Sequence, residues 1–157
     1  MSESERSNTG AMFKQLVKAW MASMRGVSDE NNKNRMSKHL AIFYRQIRTA
    51  ISKTLPDDWQ RVWVLVEMEV DTGSLVCYYR GEDGSIKPLM SGVSLEVYSA
   101  FRRVRQEMSQ ASTPPLWSSL TYILQRNGTF SIDYGYDPVP IEDEEERRHM
   151  WEQKYLL

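Results

Sequence analysis

The residues best placed to do chemistry in this 157-residue chain are carboxylates in the stretch FSIDYGYDPVPIEDEEER. Asp133 and Asp137 alternate with tyrosines, and five consecutive acids follow: Glu142, Asp143, Glu144, Glu145 and Glu146. Paired carboxylates can transfer protons or bind Mg²⁺. In an extended strand, however, Asp133 and Asp137 lie about 13 Å apart at ~3.3 Å per residue. That separation is too large for both to bind one metal ion without help from another element.

The five consecutive acids have a structural explanation that accounts for only part of them. Acids in the first turn of a helix are stabilised by its positive end, by about 0.3–1 kcal/mol each. Two or three acids are enough for that purpose, and further like charges repel one another. Together with Asp133 and Asp137, the excess fits a surface for a partner as well as it fits a solvated face.

Other catalytic arrangements have weaker support. Glu67 and Glu69 share one face of a predicted strand, which leaves a hydrolase as an alternative. Cys77 lies among apolar strand residues, as a buried structural thiol does. His39 and His149 have no partners at zinc-ligand spacing. No phosphate-binding, dinucleotide-binding or HExxH motif occurs. The sequence therefore predicts neither catalysis, nor a metal, nor a cofactor.

The composition is that of a soluble protein of the cytoplasm. No apolar run approaches the roughly 18 residues that cross a membrane, and the first ten residues, MSESERSNTG, lack the apolar core of a signal peptide. A single cysteine excludes an internal disulfide. We predict a cytoplasmic protein without a membrane partner.

The net charge of −1 conceals two halves of opposite sign. Residues 1–55 hold ten Lys and Arg against four Asp and Glu, and residues 56–157 hold ten against seventeen. The larger, acidic part repels phosphate, which disfavours nucleic-acid binding and favours a basic protein partner. Arginines at 102, 103 and 105 leave RNA binding as a weak alternative, because no aromatic stacking platform is interleaved with them.

The N-terminal third is predicted to be helical with a break. After a disordered tail, apolar residues recur at helical spacing from Ala11 to Met24. A polar linker over residues 26–37 precedes a second helix from His39 to Leu55, which Pro56 ends. The domain is predicted to span residues 38–157. The Phe13–Met24 stripe leaves a second hypothesis, an adaptor or dimerisation module.

From Arg61 the apolar period changes to two, which is typical of strands. The pattern predicts a hairpin from Val62–Val70 and Leu75–Tyr79, an edge strand within Ser85–Met90, and a helix over Leu95–Gln110. Hairpins separated by helices indicate an α+β domain whose antiparallel sheet, of four or five strands in two hairpins, is covered on one face.

The second hairpin, Leu116–Gln125 with Thr129–Tyr136, turns at Asn127-Gly128. A two-residue turn would mix polar and apolar residues on one face, whereas a three-residue loop makes one face uniformly apolar. The three-residue loop directs Tyr134 and Tyr136 inward, and places Asp133, Asp137 and Trp117 on the outer face. A last helix from about Ile141 to Tyr155 is predicted to bury Met150, Trp151 and Tyr155.

Three segments resemble the YezG-like family of bacterial immunity proteins: FYRQIRTAISKTLPDDWQRVWVLVEMEV, PLWSSLTYILQRNGTFSIDYGYDP and the closing MWEQKYL. The resemblance covers about residues 38–157. It implies a cytoplasmic antitoxin that neutralises a nuclease-type toxin domain delivered between competing bacteria, by tight binding and without a cofactor. The first 37 residues have no counterpart in the family pattern.

These observations lead to one predicted site. A nuclease presents a basic cleft, so an acidic surface would steer association and occupy it. We expect electrostatic contacts from Asp133, Asp137, Glu142, Asp143, Glu144, Glu145 and Glu146, with Trp117 as the aromatic anchor.

Overall fold

The computed structural model describes residues 30–69, 73–89, 95–110 and 116–157, with the side chains of residues 30–37 and 39 excepted. Three helices and five strands are present in this part of the chain. In order they are α1 (Glu30–Thr54), β1 (Arg61–Met68), β2 (Gly73–Arg80), β3 (Ile86–Pro88), α2 (Leu95–Ser109), β4 (Ser119–Gln125), β5 (Phe130–Gly135) and α3 (Glu144–Tyr155). A 3₁₀ turn, Ile141–Asp143, leads directly into α3.

The strands form one antiparallel sheet in the order β3-β2-β1-β4-β5. The α+β class and the two hairpins are therefore confirmed. β1 lies in the centre because both hairpins pair with it, and every residue of β1 after Arg61 is buried. The near-continuous apolar run of β1 follows from this position, since a central strand covered on both faces has no solvated side.

One face of the sheet packs against α1 and α2 and holds the main core. Alternate β1 residues Val62, Val64 and Val66 point to this side together with Tyr122 and Phe101. The face of α2 that points to the sheet is apolar, as the predicted helical spacing required. Cys77 is buried here, as predicted, and burial raises the pKa of its thiol to about 12.

The other face of the sheet is covered by α3, so the prediction of a sheet covered on one face is wrong. Trp63 and Leu65 of β1 pack against Trp151, and Trp151 donates a 2.9 Å hydrogen bond to Thr121 Oγ1. Met150 was predicted to be buried with Trp151 but is 65% exposed. Helical geometry turns position 150 by about 100° from position 151, and therefore only one of these neighbours can face the sheet.

The hairpin between β4 and β5 has the predicted three-residue loop. Leu124 pairs with Phe130 and Tyr122 pairs with Ile132. Gly128 has a φ of 89°, a conformation that glycine adopts without strain. Tyr134 packs against the core as predicted, but Tyr136, also predicted to point inward, is 54% exposed beyond the end of β5.

The N-terminal boundary of the second predicted helix differs from the sequence prediction. α1 begins at Glu30 rather than His39, so residues 30–37 extend the helix and do not form a linker. The predicted helix Ala11–Met24 and the tail before it lie outside the described residues. The domain boundary at residue 38 stays a prediction.

Tyr122 supplies a test of the main core. Its side chain is 0% exposed and, among the described side chains, its hydroxyl is the buried polar group without a hydrogen-bond partner. Burial raises the pKa of Tyr122 above its usual value. Tyr122→Phe should therefore keep or raise the free energy of unfolding at pH 7, by up to about 1 kcal/mol, because no hydrogen bond is lost.

The same variant should change the alkaline limb of the stability curve. A tyrosine whose pKa is raised in the folded state does not change stability with pH below about pH 10. Above that pH it lowers the free energy of unfolding progressively, since the unfolded chain ionises first. Tyr122→Phe removes one such group, so its stability should fall less steeply above pH 10 than that of the parent. Urea unfolding at pH 7, 9, 10 and 11 measures both effects, and a loss above 1 kcal/mol at pH 7 would reveal an unrecognised partner.

Candidate functional site

The acidic residues lie in an extended connection, the 3₁₀ turn and the first turn of α3. Asp137, Glu142, Asp143, Glu145 and Glu146 are exposed, whereas Glu144 is half-buried. Pro138 and Pro140 hold the connection extended, and Pro140 has φ −63° and ψ 145° immediately before the 3₁₀ turn. We call residues 137–146 the acidic segment.

Arg147 fixes the acidic segment to the sheet. Its Nε and Nη2 donate to the two carboxylate oxygens of Glu67 at 2.7 and 3.1 Å, and its Nη1 donates to the carbonyl oxygen of Pro140 at 2.6 Å. The hydrogen bond to Glu67 raises the pKa of Arg147, and the charges of Glu67, Asp143 and Glu144 add to that shift. One guanidinium thus joins β1, the connection and α3.

A cavity of about 360 Å³ lies beside this ion pair. Its lining includes Glu67, Glu69, Glu144 and Arg147. Glu67 is engaged by Arg147, and Glu69 accepts a 3.2 Å hydrogen bond from the backbone N–H of Val139. The carboxylate pair that suggested a hydrolase is therefore used to hold the connection between β5 and α3 against β1.

Asp133 is exposed as predicted but lies apart from the acidic segment. Its Oδ2 accepts a 2.8 Å hydrogen bond from the hydroxyl of Tyr155, in the last turn of α3. Glu144 begins the same helix eleven residues earlier, which corresponds to about 16 Å at ~1.5 Å per residue. The sequence-predicted acids consequently form two groups, one near each end of α3.

Trp117 does not lie on the outer face, and its predicted role as an exposed anchor is wrong. It is 1% exposed and packs in the main core, where its Nε1 lies 3.4 Å from the sulfur of Met108. The backbone N–H of Ser118 donates to the carbonyl oxygen of Gly135, although Ser119 is the register partner of Gly135. Ser118 and Ser119 thus both lie opposite Gly135, as in a β-bulge. The extra residue shifts the alternation of β4, so that Trp117 points to the main core instead of the outer face.

Sequence reasoning missed Arg147, and it predicted Tyr155 to be buried but not to contact Asp133. Arg147 and Tyr155 contact the sheet-side partners Glu67 and Asp133, and they lie on the same side of α3 as Trp151. Their spacing of four residues on either side of Trp151 is the signal that could have found them, because positions four apart lie on one helix face.

The described residues contain no group of three or more His, Cys, Asp or Glu arranged to hold a metal ion. No described helix has both the length and the hydrophobicity that crossing a membrane requires.

Comparison with known proteins identifies the family. Residues 40–157 match the family model described as immunity protein YezG-like. The chain belongs to the YezG-like immunity family. The match begins within α1 and includes all five strands, the acidic segment and α3, so the whole of the described YezG-like fold except the first turns of α1 lies inside it.

Two curated relatives carry the name immunity protein YezG. The protein of Bacillus spizizenii (strain ATCC 23059 / NRRL B-14472 / W23) is 29% identical over 130 residues, with 72% of this chain and 80% of the relative covered. The protein of Bacillus subtilis (strain 168) is 25% identical over 128 residues, with 72% and 85% covered. The resemblance inferred from the three sequence segments is therefore confirmed.

Proposed function

We propose that this YezG-like protein neutralises a cognate nuclease-type toxin in the cytoplasm by placing its acidic segment in the basic cleft of the toxin. The observation that carries the proposal is a run of twenty residues, 127–146, with seven acids and no Lys, Arg or His. Most of its carboxylates are exposed. A nuclease must attract the phosphates of nucleic acid to its basic cleft. Carboxylates placed in that cleft compete with those phosphates.

The anchoring of the segment supports this role. Arg147 bonds Glu67 and the Pro140 carbonyl, so the exposed acids are attached to β1, the central strand of the sheet. A preorganised charged surface loses less conformational entropy on binding than a flexible one does. Inhibition then needs complementary binding alone, without turnover and without a cofactor.

Charge reversal tests the proposal. The triple variant Asp137→Lys, Glu142→Lys, Glu145→Lys changes exposed residues of the acidic segment. At roughly 0.7 kcal/mol for each reversal of a rim charge, the affinity for the cognate toxin domain should fall about 30-fold. The association rate should carry most of this loss, and the loss should shrink as salt is raised. Surface-plasmon resonance at two salt concentrations with a catalytically inactive toxin measures these quantities.

A matched control separates the acidic segment from overall charge. Asp57→Lys, Asp58→Lys, Glu82→Lys makes the same change in net charge on exposed residues near the opposite end of β1. That variant should lose less than 5-fold in affinity. Equal losses in both triples would show that net charge alone governs association, and an unchanged affinity of the first triple would refute the proposed surface.

A further inference from the structure

Among the described residues β5 is an edge strand of the sheet, and one side of it has a row of backbone groups without a strand partner. Gln125 N–H donates to the Thr129 carbonyl, and Ile123 pairs with Ser131 and Thr121 with Asp133 in the same register. In an antiparallel ladder the hydrogen-bonding groups of alternate residues point to opposite sides. The N–H and C=O groups of Phe130, Ile132 and Tyr134 therefore point away from β4. Within the described chain no hydrogen bond reaches them.

The opposite edge of the sheet, formed by β3, is protected against pairing with another strand, whereas the edge of β5 is not. β3 has only three residues, and Pro88 removes one of the donors that would face outward. Lys87 adds a charge beside it. Natural proteins blunt an edge with short strands, proline and lysine. β5 has six residues and contains none of these features, since its one charged residue is Asp133.

The charges around β5 indicate what could pair with it. Ser131 and Asp133 are exposed on the outer face of β5, and Asp137 follows the strand. Residues 127–146 contain no basic residue, and the guanidinium of Arg48 lies beside Gly128, before the strand begins. A second copy of this chain would bring two such acidic segments together, and like charges side by side are destabilising. A strand that carries Lys or Arg would instead gain both backbone hydrogen bonds and opposite charges.

We propose that the toxin domain adds a basic β-strand to the free edge of β5, which extends the sheet to six strands. This inference rests on the proposed function and names how the toxin is recognised. The added strand forms ladder hydrogen bonds with Phe130, Ile132 and Tyr134 and directs basic side chains towards Asp133 and Asp137. Backbone pairing supplies affinity, and the acids select the sequence of the strand.

Amide hydrogen exchange, measured by NMR on the full chain, tests the pairing residue by residue. The free protein should exchange the amides of Ile132 and Tyr134 quickly and those of Ser131 and Asp133 slowly, because only the latter bond β4. In the saturated complex with a catalytically inactive cognate toxin domain, exchange at Ile132 and Tyr134 should slow at least 100-fold.

The outcomes separate this inference from the proposed function. Toxin that fails to bind refutes the proposed function. Toxin that binds while Ile132 and Tyr134 keep their fast exchange refutes the edge pairing alone. Slow exchange at these two amides in a free protein that sediments as a dimer also refutes it, because a second copy then occupies the edge.

A pair of variants tests the basic character of the added strand. Ser131→Lys with Asp133→Lys places two lysines beside the edge and should weaken toxin binding at least 10-fold. Glu96→Lys with Ser109→Lys makes the same charge change on exposed positions of α2 and should weaken it less than 3-fold. Equal affinities of the two double variants would overturn the assignment of a basic strand.

Discussion

Trp117→Ala is expected to lower the free energy of unfolding by about 3–5 kcal/mol, the range for removing a large aromatic side chain from a packed core. The ring lies 6.3 Å from that of Tyr134, and the guanidinium of Arg105 lies 5.7 Å from its centroid. Arg105 Nε also donates to the Trp117 carbonyl oxygen at 2.9 Å. The backbone bond survives the substitution, but the packing does not.

Urea unfolding of Trp117→Ala measures the loss, and toxin affinity supplies the contrasting readout. Where the variant remains folded, its affinity should stay within about threefold of the parent, because the side chain does not reach the surface. Trp59→Ala is the control: Trp59 is half-buried against Arg126, so the expected cost is smaller. A stable Trp117→Ala variant with strongly weakened toxin binding would restore Trp117 as an anchor.

The orientation of Trp117 illustrates what strand alternation predicts well and where it stops. Alternation fixed the register of β4 and β5, because only a three-residue loop made one face apolar, and the observed pairs agree. It also placed Asp133 outside. Alternation fails at a bulge, and the bulge at Ser118 depends on which backbone N–H reaches Gly135. That hydrogen bond forms only when the two strands have paired, and no residue type near Ser118 predicts it.

The second face of the sheet shows a related limit. The helical pattern of Trp151 and Tyr155 predicts that α3 buries a stripe, but it does not say which surface receives the stripe. Trp63 and Leu65 answer this question. Residues of β1 that point to either face of the sheet are apolar, and such a strand must be covered on both faces. The continuous apolar run of β1 was therefore the signal that a second layer exists.

The start of α1 could not be read from hydrophobic spacing. Residues 30–37 are mostly polar, so no apolar stripe extends into them. They contain neither glycine nor proline, however, and a helix that is already formed continues through such residues at little cost. Periodicity located the part of α1 that packs on the sheet, whereas the absence of helix-breaking residues allowed the part before it.

The ion pair between Arg147 and Glu67 carries the second large prediction. The side chains of Arg147 and Glu67 are 22% and 8% exposed. Arg147→Met removes the cation and leaves a buried carboxylate, so the free energy of unfolding should fall by about 3 kcal/mol. Glu67→Leu should cost less, about 1 kcal/mol, because the partly exposed guanidinium can turn towards water.

The double variant Glu67→Leu, Arg147→Met separates the ion pair from its packing. Both charges are replaced by apolar groups of similar size, and buried pairs exchanged in this way are often neutral. We expect the double variant within about 1 kcal/mol of the parent, hence a coupling energy of about 3 kcal/mol from urea unfolding of all four proteins. Additive losses would show that the pair contributes nothing beyond its separate residues.

The same four proteins connect stability with toxin binding. In the double variant the bond from Arg147 to the Pro140 carbonyl is absent, so the acidic segment loses one of its attachments and keeps the hydrogen bond from the Val139 N–H to Glu69. Its affinity for the toxin should then fall several-fold, because binding must order a more flexible segment and this costs conformational entropy. Parent-like affinity in a stable double variant would show that Arg147 contributes to folding alone and that the exposed acids need no anchoring.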